Sequence, residues 1–165
     1  MSVLPHVRDS ASWLPPNWSN PHRVELPTGH HLRPIRSTDV DLHLEAVLDS
    51  PKGPGVGHGR GRGWPPPAIT IEQDRRWLAR REAAAAAHRS FTYALFDLGE
   101  TELLGCVDLD PDPTGQALGL VSWWVVDWLV DSPVERALDQ LMPAWIATDW
   151  PQSAVPGVIS WRTGW

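Results

Sequence analysis

The stretch 91–126, FTYALFDLGETELLGCVDLDPDPTGQALGLVSWWVV, contains three successive segments that are typical of β-strands. The first segment is Phe91–Phe96, and a turn at 97–101 leads to the second, 102–110. The third segment, 117–126, is the most apolar of the chain and predicts a central strand. Three strands joined by short connections predict an antiparallel meander.

Before this stretch, the sequence predicts two short strands and two helices. The strands, 23–26 and 31–36, surround a turn that contains proline and glycine. The first helix is expected to begin at Thr38, whose hydroxyl would cap it, with an acidic residue three positions later. The second helix is expected to begin at a capping box formed by Thr70 and Gln73.

After the stretch, residues 132–148 carry the clearest local signal in the chain. Ser132 is a favoured N-cap, Pro133 suits the first helical position, and Glu135 is expected to complete a capping box. A last short strand is predicted at 158–161. The predicted order is therefore β-β-α-α-β-β-β-α-β, in the α/β class.

Two other segments are expected to be irregular. Residues 1–22 predict an irregular N-terminal arm packed by Trp13 and Trp18, and residues 23–165 predict a single domain. Residues 51–67, PKGPGVGHGRGRGWPPP, predict a mobile surface loop because they have the densest glycine and proline of the chain. A phosphate-binding P-loop is not indicated, since its lysine-containing pattern is absent from the sequence.

Composition limits the classes of partner and location. The chain has 165 residues and a formal charge of −6, which favours one domain and disfavours a nucleic-acid partner. Its one cysteine, Cys106, cannot form an internal disulfide, which fits a reducing compartment. The N-terminus lacks the layout of a signal peptide, and 117–130 is too short to span a bilayer. We therefore expect a cytoplasmic protein with no membrane partner.

Histidine and cysteine do not show the spacing of a metal site. His30 and His31 are adjacent, so in a strand they would point to opposite faces. We expect this pair to be solvated, and Cys106 to be a small core residue within its apolar strand. The sequence therefore predicts no metal site.

This order of elements resembles the GNAT N-acetyltransferase superfamily. Residues 31–39 (HLRPIRSTD) are similar to the family's first strand and the start of its first helix. Residues 91–97 (FTYALFD) and 103–108 (LLGCVD) resemble its second and third strands, and 122–126 (SWWVV) resembles the fourth. The resemblance covers 30–161 and implies a GNAT-like, mixed but mostly antiparallel sheet flanked by helices.

The resemblance also implies acetyl-CoA as a co-substrate. In the family, the fourth strand splays from the fifth, and its backbone pairs with the pantetheine arm. A loop of pattern Q/R-x-x-G-x-G/A then wraps the pyrophosphate at the N-terminus of the next helix. Carried over to this chain, cofactor binding falls to the backbone of Trp123, Trp124, Val125 and Val126, and to the guanidinium of Arg136.

The pyrophosphate loop departs from the family pattern. Asp131-Ser132-Pro133 replaces the glycines, and Pro133 contributes no N–H. Asp131 and Glu135 bring negative charge to the helix N-terminus, where each charge is worth about 0.3–1 kcal/mol. Arg136 is the nearest cation. These residues favour a structural helix cap over a phosphate site.

The catalytic residues of the family have no clear counterpart, so the catalytic residues stay unassigned. The family often uses a glutamate on the fourth strand as base and a later tyrosine as acid. Residues 117–126 contain no acid, and the single tyrosine, Tyr93, lies in the second family strand. Asp108 and Asp110 are the nearest carboxylates, and we expect them to be ordinary acids at a strand end.

Two hypotheses about function remain open, with carbohydrate binding by tryptophans a distant third. The first is an N-acetyltransferase that acts on a small-molecule or peptide amine. The second is a catalytically inactive GNAT-fold binding or homo-oligomeric assembly module. The chain ends before the family's last helix and strands, so a homodimer would be expected to cover the exposed sheet edge. The tryptophans suited to such an interface are Trp145, Trp150, Trp161 and Trp165.

Overall fold

The computed structural model of the chain describes residues 12–15, 17–50, 68–112, 119–151 and 159–161. The predicted loop at 51–67 and the first eleven residues of the predicted arm lie outside these ranges. Nine helices and strands follow the predicted order. They are β1 (Val24–Glu25), β2 (His31–Pro34), α1 (Val40–Leu48), α2 (Ile71–Ala86), β3 (Phe91–Phe96), β4 (Leu103–Pro111), β5 (Gly119–Val125), α3 (Pro133–Asp149) and β6 (Ile159–Trp161).

One six-stranded sheet runs in the order β1-β2-β3-β4-β5-β6. Every neighbouring pair is antiparallel except β5 and β6, which are parallel. The parallel pair needs a crossover connection, and α3 lies within it. The predicted mixed, mostly antiparallel sheet is therefore confirmed. Within the described residues, the β5–β6 pairing spans Gly119 to Val121 of β5.

Helices cover both faces of this sheet. Because side chains alternate along a strand, Phe91 and Tyr93 point to one face and Thr92 to the other. Tyr93 packs edge-on against Trp145 of α3, with ring centroids 5.0 Å apart. Thr92 receives a hydrogen bond from Arg81 of α2. The sheet is thus the middle layer, with α1 and α2 on one side and α3 on the other.

The described part of the N-terminal arm packs beside α3. The backbone N–H of Trp13 donates to the carbonyl of His88 over 2.8 Å. The Trp13 ring lies against Gly119, where an added Cβ would approach it to 2.6 Å. Trp18 packs on Trp150 with centroids 4.9 Å apart. The two arm tryptophans therefore pack as predicted, while the division of the chain at residue 22 stays a prediction.

The start of the first helical segment differs from the prediction. Thr38 does not cap it; the carboxylate of Asp39 accepts the N–H of Arg36 over 2.8 Å. Arg33 donates two hydrogen bonds to Asp39 and so fixes the position of its carboxylate. A charged carboxylate accepts a main-chain N–H more strongly than a hydroxyl does, which favours Asp39 over Thr38 at this position. The box predicted at Thr70 is confirmed, since both of its hydrogen bonds are present.

The prediction that the His30–His31 pair is solvated is wrong for His31. His31 is fully buried and pairs with a carboxylate oxygen of Glu100 at 2.8 Å. His43, on α1, is also fully buried and pairs with Asp74 of α2. A carboxylate from a distant part of the sequence pairs with one nitrogen of each ring, which lowers the cost of burying it.

Candidate functional site

The predicted cofactor residues lie on consecutive elements of the fold. Trp123, Trp124 and Val125 are the last three residues of β5, and Val126 follows directly. Arg136 lies in the first turn of α3. The described part of β6 pairs with Gly119 to Val121, which precede Trp123. The resemblance assigns the pantetheine arm to the edge of β5 beyond these residues.

The side chains of this segment are used for packing. The indole N–H of Trp123 donates to the carboxylate of Asp139 on α3 over 2.7 Å. Trp124 points to the other face, toward α1 and α2, and is 1% exposed. Trp123 packs against α3 and Trp124 packs on the opposite face of the sheet. A ligand along the edge of β5 would therefore contact the main chain of these residues.

The direction of the main-chain groups follows from the β4–β5 ladder. The N–H of Val126 donates to the carbonyl of Leu104 over 2.9 Å. Alternate residues face opposite neighbours, so the N–H and C=O of Val125 point away from β4. At Gly105 an added Cβ would lie 2.1 Å from the Trp124 carbonyl oxygen. This close contact fixes the end of β5 against β4.

The connection from β5 to α3 is held by hydrogen bonds and contains no glycine. It includes a single 3-10 turn, Asp127–Leu129, and the N–H of Asp127 donates to the buried hydroxyl of Ser50. The N–H of Ser132 donates to the carbonyl of Leu129 over 3.0 Å. Asp131 has a φ of 62°. That left-handed conformation is one that a glycine adopts freely and that aspartate adopts more readily than most residues.

The cap of α3 matches the prediction in one half and corrects it in the other. Ser132 accepts the N–H of Glu135 over 3.2 Å, as predicted. The carboxylate of Glu135 accepts the N–H of Asp131 and not that of Ser132, because Ser132 already donates to Leu129. Arg136 donates to the carbonyl of Asp131 over 2.6 Å. Side chains of α3 therefore bind both main-chain groups of Asp131.

The charge around this helix start is mainly negative. Asp127, Asp131 and Glu135 precede or begin α3, and Arg136 is the single cation between residues 126 and 136. Carboxylates stabilise a helix N-terminus and oppose a second anion there. Arg136 is exposed, and a guanidinium has several donors beyond the one used for Asp131. Its binding to the cofactor stays a prediction.

Asp127 is a polar residue that the sequence reasoning missed. Its Oδ1 atom is buried and accepts no hydrogen bond from the residues that the structure describes. Such atoms are rare in folded proteins, and a ligand donor is one way to satisfy them. The predicted strand 117–126, in which a catalytic acid was expected, ends one residue before Asp127. Including the residue that follows the strand would have identified Asp127 as a candidate.

Asp108 and Asp110 are not ordinary strand-end acids, and that expectation is wrong. Asp108 is 1% exposed and accepts a hydrogen bond from Thr92 over 2.7 Å. Arg81 of α2 reaches Asp108 at 3.4 Å and Asp110 at 3.0 Å. Burial alone would lower the pKa of Arg81, but the charges of both aspartates outweigh it and raise that pKa. These acids form a buried ion-pair network between α2 and the sheet.

A small cleft adjoins the end of β5 on the α1 side of the sheet. Its volume is about 60 Å³, and it lies between α1, the start of β4 and the connection that follows β5. It shares Val126 with the segment predicted to bind the cofactor. Its lining residues are Leu42, Glu45, Ala46, Asp49, Glu102, Leu103, Leu104, Val126 and Trp128.

Other features bear on the class of site. Across the described ranges, no group of three His, Cys, Asp or Glu side chains is placed to hold a metal ion. Cys106 is fully buried, as predicted for a core residue. None of the helices that the structure describes is long and apolar enough to cross a membrane.

Comparisons with known proteins find similarity at the level of structure alone. No protein-family model matches the chain, and neither does any curated protein sequence. A ribosomal-protein-S5-alanine acetyltransferase from Vibrio fischeri is 14% identical, with a TM-score of 0.58 over 75% of this chain and 66% of its own. RimL, a ribosomal L7/L12 alpha-N-protein acetyltransferase in complex with coenzyme A, is 16% identical, with a TM-score of 0.59 over 77% and 70%.

A third neighbour, Mycobacterium smegmatis RimJ in complex with a CoA-disulfide, is 15% identical, with a TM-score of 0.57 over 77% of this chain and 61% of its own. The chain thus spans about two thirds of the length of these neighbours. The TM-scores of 0.57 to 0.59 show that the similarity is one of fold. This chain therefore has the fold of the GNAT N-acetyltransferases.

Proposed function

We propose that the chain is an N-acetyltransferase that transfers an acetyl group from acetyl-CoA to an amine. The observation that carries the proposal is the edge of β5, which continues to Val125, four residues beyond Val121, the last residue that pairs with the described part of β6. The outward N–H and C=O of Val125 match the donors and acceptors of the amide-containing pantetheine arm. Neighbours of this fold are acetyltransferases, and two of those compared were solved with coenzyme A or a CoA-disulfide.

The strand edge and the helix start contribute unequally to this binding. Val125 offers main-chain groups to the pantetheine arm, whereas the N–H of Asp131 is already bound by Glu135. Two carboxylates at the helix start also oppose the pyrophosphate. We therefore assign most of the acetyl-CoA affinity to the pantetheine arm, with Arg136 as the cation for the phosphates.

In the transfer step, the amine nitrogen forms a bond to the acetyl carbon while the bond from that carbon to sulfur breaks. The thiolate of CoA leaves, and the amine gives up a proton. We assign Asp127 as the acceptor of that proton, because its Oδ1 is buried next to the end of β5 and accepts no hydrogen bond within the described residues.

The acceptor class is the second part of the proposal. Among the neighbours, one is named for the alanine of ribosomal protein S5 and another for the alpha-N position of L7/L12. We propose a polypeptide α-amine as the acceptor class of this chain. The chain has one cysteine, so it forms no internal disulfide, which agrees with the cytoplasmic location that we propose for this activity.

Ligand binding tests the first part of the proposal directly. The chain is titrated with acetyl-CoA and CoA by calorimetry and by thermal shift. At 100 times its dissociation constant a ligand stabilises the fold by about 2.7 kcal/mol, which raises the Tm by about 5–11 °C for a chain of this size. Thiol release is then followed with short peptides that have free α-amines. No shift at millimolar acetyl-CoA sinks the proposal, and binding without turnover across the peptides favours the inactive module.

Asp127→Asn tests the role of the base. We expect kcat to fall by about 10²–10⁴-fold, since that is the usual contribution of a general base, while acetyl-CoA binds with unchanged affinity. Asp131→Asn is the matched control, because it removes a nearby charge without touching the buried oxygen. An Asp127→Asn enzyme with the wild-type kcat excludes this assignment.

A further inference from the structure

The cleft beside Val126 has an apolar floor. Its floor comes from α1, the start of β4 and the end of β5, which meet at this corner of the sheet. Its volume of about 60 Å³ has room for a few water-sized groups in a row, which suits one unbranched side chain. The floor residues are Leu42, Ala46, Leu103, Leu104 and Val126.

The rim of the cleft is acidic. Glu45 of α1, Asp49 directly after it and Glu102 before β4 are exposed, and all three line the cleft. Their carboxylates make no hydrogen bond or ion pair with another residue in the described ranges. Among the described residues that line the cleft, none is a lysine, arginine or histidine. The cleft is therefore complementary in charge to a cation and repels an anion such as a nucleotide phosphate.

An aromatic ring completes the wall. Trp128 lines the cleft, and 66% of its surface is exposed. Several other tryptophans of the chain are buried, so the exposure of this one is unusual. An indole face attracts a cation by about 0.5–1 kcal/mol at an exposed site. The same ring packs well against methylene groups.

We propose that this cleft binds the side chain of a lysine in the polypeptide acceptor. The methylene stem would lie on the apolar floor and against Trp128, and the ammonium would reach the carboxylates of Glu45, Asp49 and Glu102. A compact ammonium on an unbranched stem fits a narrow cleft better than a planar guanidinium does. The bound lysine is a recognition element and is distinct from the α-amine that reacts.

The position of the cleft connects this recognition to the reaction. Val126 belongs to the cleft and directly follows β5, and Asp127 lies between it and Trp128 in the sequence. A peptide whose lysine occupies the cleft is therefore held beside the segment assigned to acetyl-CoA and the base. The inference rests on the proposed function for the identity of the acceptor, but the binding itself needs no acetyl-CoA.

Two matched probes test the proposal without turnover. Nα-acetyl-lysine methylamide is titrated against the chain by NMR or calorimetry in the absence of acetyl-CoA, and Nα-acetyl-norleucine methylamide is the probe without an ammonium. We expect only the lysine probe to bind, and we expect its affinity to fall as ionic strength rises. Exposed ion pairs are individually weak, so removing all three carboxylates in the E45Q/D49N/E102Q variant should weaken binding by about tenfold.

Asp41→Asn is the matched variant, since Asp41 is an exposed carboxylate of the same helix that does not line the cleft. It should bind the lysine probe like the wild type, as should Trp128→Phe, whereas Trp128→Ala should lose about two- to fivefold. Equal binding of the norleucine probe overturns the proposal, and so does unchanged lysine binding in the triple variant. A concentration-dependent dimer that Trp128→Ala dissociates would instead make a second copy the occupant. These outcomes are independent of whether acetyl-CoA binds.

Discussion

Neutralising the two carboxylates at the start of α3 should increase the affinity for CoA. Asp131 and Glu135 lie at the helix start to which we assign the pyrophosphate, and each charge at a helix N-terminus is worth about 0.3–1 kcal/mol. Removing both therefore gives about 0.6–2 kcal/mol, or about a 3- to 30-fold lower dissociation constant. The double variant D131N/E135Q changes charge with little change of shape.

The substitutions are chosen so that the cap survives. Gln at position 135 retains an oxygen that can accept the N–H of Asp131, the bond that Glu135 makes now. Asn adopts the left-handed conformation as readily as Asp, so it suits the φ of 62° at position 131. The free energy of unfolding of the variant should therefore lie within about 1 kcal/mol of the wild-type value.

The assay is calorimetric titration with CoA at low and at physiological ionic strength. Asp149→Asn is the control, since it removes a charge from the other end of α3, about 24 Å away along the helix. That distance exceeds the Debye length of about 8 Å at physiological ionic strength, so this control should not change CoA affinity there, and at low salt its effect should be smaller than that of D131N/E135Q. If D131N/E135Q binds CoA no better than the wild type at low salt, the assignment of the pyrophosphate to this helix start is refuted.

Three further predictions concern the sheet, the acid stability and the cofactor. Gly105→Ala should destabilise the fold by about 1–3 kcal/mol in urea melts, because its Cβ would meet the Trp124 carbonyl at 2.1 Å, whereas Gly99→Ala, with its nearest contact at 3.6 Å, should be close to neutral. Hydrogen bonds from Arg33, and to a lesser extent from His31, lower the pKa of Glu100 from 4.5 to about 2. The ionised Glu100 therefore contributes its full amount to the free energy of unfolding above about pH 4.5, and this contribution declines as the pH falls toward 2. Glu100→Gln should make the free energy of unfolding less dependent on pH between about 4.5 and 2, as measured by urea melts. S-acetylpantetheine, which lacks the nucleotide, should bind within about tenfold of acetyl-CoA, and a larger gap would show that the phosphates contribute more than this helix start suggests.

The order of the fold could be predicted because each element has a local cause. Phe91–Phe96 alternates, a box at Thr70 caps α2, and Ser132 caps α3. These signals act over a few residues, so they can be identified without the rest of the molecule. Their sequence along the chain was enough to indicate the architecture, although the three neighbours described above are only 14–16% identical.

The buried polar residues could not be predicted in the same way. His31 was expected in solvent, but its partner Glu100 is 69 residues away in the sequence. Asp108 was expected at a strand end, but Arg81, 27 residues earlier, reaches it from α2. Burial of a charge depends on such distant partners, and a single sequence does not indicate which residues meet.

The helix start shows how the same residues can satisfy the fold and limit the ligand. The left-handed turn at Asp131 replaces a glycine, and its N–H is bound by Glu135 while its carbonyl is bound by Arg136. In a glycine loop, main-chain N–H groups are open to a phosphate. Here the protein provides its own anion to that helix N-terminus. If acetyl-CoA is the donor, its affinity must then come from the strand edge that ends at Val125, and the acidic side of the site is left to attract a cationic acceptor.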